Sequence, residues 1–153
     1  VKGWSVWMML LLSGPALAAP DTVALTEFET CVAETFVSEQ NNPFAKLGVP
    51  VICGERHIPI EQSCSLLKRL ASPVDCLDAD HAYWKGEFEA ILTTEGVEEP
   101  AEPSLFRSGI ERCAGTSEEG FALRGCEAEV YWRAVLIMWA IPVIEQVVAQ
   151  GGD

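Results

Sequence analysis

Hydrophobic and polar positions alternate at helical spacing along most of the chain, and the densest apolar run lies near its end. Residues 134–144 are apolar on every side, with Arg133 before them and Glu145 after. Such a segment is buried all round or lies in lipid. A membrane span needs roughly 20 mostly apolar residues, and the two charges cut the run short of that. The pattern therefore predicts a central core helix over about residues 126–148. Val135, Ile137, Ile141, Val143 and Ile144 would also suit a strand, and length decides for helix. Pro142 has no N–H and is expected to kink or restart the helix.

The other elements follow from the same periodicity. Leu25, Phe28, Val32 and Phe36 predict a helix over 23–39, with Cys31 beside the stripe and Asn41-Asn42-Pro43 as its stop. Residues 44–59 carry Gly48, Pro50, Gly54 and Pro59 and read as an ordered loop. Ile60, Cys64, Leu67 and Leu70 predict a short helix over 60–71. Ser72-Pro73-Val74-Asp75 is a start signal, with Ser72 as cap, Pro73 in the first turn and Asp75 closing a capping box. The helix it opens runs to about Thr94 on a stripe of Leu77, His81, Trp84, Phe88 and Ile91. An acidic, proline-bearing connector precedes a helix from Ser104 to Cys113 or Ala114, with Leu105, Phe106, Ile110 and Cys113 inward. Five helices with short connections predict an all-α bundle whose neighbours are largely antiparallel.

The first residues change the compartment. Lys2, an apolar core and Ala16-Leu17-Ala18 have the form of a secretion signal cleaved after Ala18. Residues 19–153 are then a single exported domain, periplasmic or secreted, with no stable membrane anchor after cleavage. Cys31, Cys53, Cys64, Cys76, Cys113 and Cys126 all follow the leader. An even count in an exported chain predicts three disulfides. If the last three helices alternate direction, Cys113 and Cys126 meet at one end. The expected pairing is then Cys113–Cys126, Cys53–Cys64 and Cys31–Cys76.

Charge narrows the partners. The chain carries a net charge of −13, and loss of Lys2 with the leader makes it one unit more negative. Nucleic acid and anionic membrane surfaces are poor partners for such a surface, whereas a cationic protein is a plausible one. Solubility alone is an equally good reason for the acidity.

Catalytic chemistry finds little purchase. His57 follows Glu55 and Arg56, and His81 sits among Asp78, Asp80 and Tyr83, both without a recognisable nucleophile motif. A metal site from Asp78, His81 and a remote group has no supporting spacing. Two acidic residues could serve a glycosidase only if held across a cleft. Trp84, Tyr131, Trp132 and Trp139 fall in apolar stripes and read as core. No enzyme activity, cofactor or metal is expected. Arg133 borders the apolar run and needs carboxylate partners if buried. Asp78, Asp80 or Glu129 could supply one, and a lock between Arg133 and Asp80 would join the third and fifth predicted helices.

Three short motifs carry a resemblance. Cys76-Leu77, with Asp80 one turn on and Trp84 another, opens one helix. Cys126 and Arg133 form C-x6-R in the last. Phe106-Arg107 leads to Cys113 between them. Together they resemble the small exported, cysteine-rich helical family typified by the lysozyme-inhibiting lipoprotein LprI, in its six-cysteine periplasmic form. Val130 departs from the threonine usual in that family. The resemblance implies a binding protein, with a cationic cell-wall hydrolase such as lysozyme as a possible target. It implies no enzyme activity. A non-catalytic envelope structural or assembly factor is the alternative.

Overall fold

A computed structural model describes residues 20–39, 42–60, 73–95, 103–116 and 120–151. They form five helices: α1 (Thr22–Ser38), α2 (Pro43–His57), α3 (Pro73–Glu95), α4 (Pro103–Thr116) and α5 (Phe121–Gln150). No strand occurs among the described residues. The fold is all-α, and α1, α3, α4 and α5 stand where periodicity predicts them. The helix expected over 60–71, with Cys64, lies outside the described residues.

Local chemistry sets the starts. The Asp21 carboxylate accepts from the Ala24 N–H at 2.7 Å and caps α1. The Asn42 side chain accepts from the Ala45 N–H at 3.2 Å, and Pro43 occupies the first turn of α2. The residues expected only to stop α1 thus also start α2. Gly120 opens α5 at φ 113°, a backbone region that side chains with a Cβ rarely enter.

Residues 43–57 correct the expected loop. They form α2, with Pro50 inside the helix. Val49 and Cys53 are fully buried, so the face is held by packing that outweighs the weak helix propensity of two glycines and an internal proline. Gly54 is a packing residue rather than punctuation. A Cβ there would collide with the buried Leu136 side chain of α5.

Residue contacts give the topology. Cys31–Cys53, Glu27–His57 and Lys46 over the Phe36 ring make α1 and α2 an antiparallel hairpin. Asp78–Arg124 and His81–Glu127 set α3 parallel to α5. Cys113–Cys126 and Gly109 against Val130 set α4 antiparallel to α5. All four shorter helices pack on α5, which at 30 residues is about 45 Å long. Its inward face is Ala128, Trp132, Val135, Leu136 and Ala140. Trp132, Val135, Leu136 and Ala140 join Phe28, Val32, Val49, Ile58, Trp84 and Phe88 in one core.

α5 departs from expectation in two ways. It starts five residues before Cys126 and runs through Pro142 to Gln150 without a restart. Nor is its apolar run buried all round: Ile137 and Ile141 are each 45% exposed and Val148 is 59% exposed. By length and composition alone Ala122–Gln150 is also long and apolar enough to cross a membrane. In this fold its inward face carries the core.

The staples confirm one expected pairing and overturn the others. Cys113 joins Cys126, as predicted. Cys31 joins Cys53, which rules out Cys31–Cys76 and Cys53–Cys64. The helical register of α2 is the reason, because it turns Cys53 inward against α1. Two complete bridges, not three, lie among the described residues. Cys76 is also disulfide-bonded, and no described cysteine is free.

Non-reducing peptide mapping should recover Cys31 with Cys53. The bridge spans a sequence separation of 22, so replacing both cysteines by serine should cost about 3 kcal/mol on the chain-entropy account. An unchanged urea midpoint would show that the hairpin holds without it. The glycines give a paired test. Gly54→Ala should destabilise by about 1–3 kcal/mol through overpacking against Leu136. Gly86→Ala, in α3 with open space around it, should stabilise by up to about 1 kcal/mol through helix propensity. Similar shifts in both variants would contradict the close approach of α2 to α5.

Candidate functional site

The seam between α3 and α5, closed on one side by α4, gathers most of the polar residues weighed as chemistry. Parallel packing brings Asp78 Oδ1 within 2.7 Å of Arg124 Nη1. One turn on, His81 Nε2 lies 3.1 Å from Glu127 Oε2. That contact is close but lacks hydrogen-bond alignment, since the buried Nε2 has no hydrogen-bond partner among the described residues. The His81 ring meets the edge of Tyr131 at 5.8 Å between centroids.

Aromatic packing closes the seam above these pairs. Phe88 of α3 stacks on Phe106 of α4 at 4.4 Å, and Tyr131 of α5 packs against both. Burial raises the Tyr131 phenol above its ordinary pKa, and Glu127 and Glu89 raise it further. Tyr83 behaves alike: burial and then Glu87 push its phenol up, and its hydroxyl has no hydrogen-bond partner among the described residues. Burial also raises the Glu87 carboxyl.

The lock expected between Arg133 and Asp80 is corrected. Arg133 is half exposed and donates to Glu129 one turn back on the same helix, from Nε at 3.0 Å and from Nη2 at 2.6 Å. Position 133 follows the inward Trp132 by about 100° of helical turn, which swings it out of the core. Asp80, on α3, is 1% exposed and has a partner other than Arg133. Asp78–Arg124 is an ion pair that does join α3 to α5, an exposed one that contributes at most about 1 kcal/mol.

The remaining candidates also serve the frame. His57 lies in the last turn of α2, not in a loop, and its Nδ1 is 3.2 Å from Glu27 Oε2 of α1. Asp78 and His81 turn to separate partners on α5. Among the described residues no group of three or more His, Cys, Asp or Glu is placed to hold a metal ion. Trp84 and Trp132 are buried, and each has a polar task that periodicity does not reveal. The Trp84 indole donates to the Ile60 carbonyl at 2.9 Å, and the Trp132 indole to the Ile58 carbonyl at 2.9 Å. Two helices thereby fasten the strip that leaves α2. The sequence signal was the indole itself, which needs a hydrogen-bond acceptor when buried.

The fold and its seam define a small helical, disulfide-stapled domain. Comparison of the chain with protein-family models, with curated proteins and with solved structures finds no match.

Two substitutions test these assignments. Arg133→Met should change stability by less than about 0.5 kcal/mol, as for other exposed pairs within a helix. A loss near 3 kcal/mol in chemical denaturation would restore the buried lock. The Glu87 carboxyl is raised by burial, so the folded state holds its proton more tightly than the unfolded chain does. That favours folding at low pH, and the advantage is lost as pH rises from the ordinary carboxylate range through the raised folded value. Glu87→Gln should therefore raise the melting temperature at neutral pH, and the gain should shrink on acidification. A pH-independent difference would mean that burial of the charge is not its origin.

Proposed function

We propose that the protein is an exported, non-catalytic binding protein that recognises a cationic partner, with a cell-wall hydrolase such as lysozyme as the leading target. The observation that carries this reading is the distribution of charge on a stapled frame. Glu27, Glu29, Glu34, Glu55, Glu89, Glu111, Glu129 and Glu145 are exposed on helices spread around the bundle. Lys85, Arg124 and Arg133 are each within ion-pair reach of a carboxylate. On the exported reading, loss of Lys2 with the leader takes the net charge of −13 one unit lower, and so acidic a chain attracts cations and speeds their encounter. Disulfides place the chain in an oxidising compartment, and a periplasmic or secreted location follows on this reading. The motifs that resemble those of the LprI-type family point to the same target class.

A second reading, an envelope structural or assembly factor, draws on the exposed Ile137, Ile141 and Val148 of α5. Apolar side chains grouped on one helix face suit protein contacts.

Clearing of cell-wall suspensions by lysozyme, with and without the purified oxidised protein, tests the first reading directly. Inhibition should be stoichiometric. The association rate should fall with added salt, because charge attraction is screened over about 8 Å at physiological ionic strength. Dissociation should change less. No inhibition of chicken-type, goose-type or invertebrate-type lysozyme at micromolar protein would favour the structural reading. Inhibition that survives reduction and unfolding would reduce the effect to a polyanion meeting a polycation.

A further inference from the structure

We draw no further inference here: the strongest candidate, the exposed apolar face on the C-terminal half of α5 formed by Ile137, Ile141 and Val148, carries nothing because nothing in the structure shows what covers it.

Discussion

Burial of one face of α5 is the constraint on which the rest of the structure depends. α1 and α2 pack there as a hairpin, and α3 and α4 each pack there and meet through the Phe88–Phe106 stack. Neither pair offers a core of its own. Phe28, Val32 and Val49 on one side and Trp84 and Phe88 on the other are completed by Trp132, Val135, Leu136 and Ala140. Small residues allow the close approach. Gly54 lies against Leu136, and Gly109 lies against Val130. The disulfides act on different joints. Cys31–Cys53 closes the hairpin, whereas Cys113–Cys126 ties α4 to α5 near the start of the long helix. Between the pairs runs the strip Ile58–Ile60, whose carbonyls take the indole protons of Trp132 and Trp84. Buried indoles and buried carbonyls each cost free energy if left without a partner, so these two bonds also fix how α3, α5 and the end of α2 sit relative to one another.

Much of this was legible in the sequence where one physical cause dominates. The stripes of α1, α3 and α4 recur at helical spacing because one face of each is buried, and their bounds follow closely. α2 is hidden from local reading because its glycines and Pro50 are local breakers, whereas its stability comes from contacts with α1 and α5. Local signals carry no record of such distant contacts. The unexpected disulfide pairing has the same origin. A loop leaves the direction of Cys53 open, while a helix turns it onto α1. α5 was misjudged for another reason. Apolar residues on every side show that a helix can be buried all round, but not that enough neighbours exist to bury it. Ile137 and Ile141 stay exposed on the side away from Val135 and Leu136.

Arg133 shows the same limit within a single residue. Beside an apolar run an arginine looks like a buried charge in need of a carboxylate, and Asp78, Asp80 and Glu129 all fit that need in sequence. Its angular position decides otherwise, and Glu129 one turn back suffices. Asp80 and Arg133 are each accommodated without a mutual lock, and the α3–α5 register rests on packing with Asp78–Arg124 and His81–Glu127 at its polar end.

That division between packed interior and charged exterior bears on how the proposed binding would work. The seam residues with candidate chemistry turn toward neighbouring helices, so on the proposed function recognition would fall to the outer carboxylates. Such a surface contributes mainly to the rate of encounter, while the strength of a complex depends on contacts made after water is expelled. A frame closed by disulfides helps the second step, because side chains and backbone already held in place lose less freedom on binding. Charge alone would survive unfolding, whereas the pre-formed arrangement would not. The contribution of the fold is therefore measured by the difference between the oxidised, folded protein and its reduced, unfolded chain.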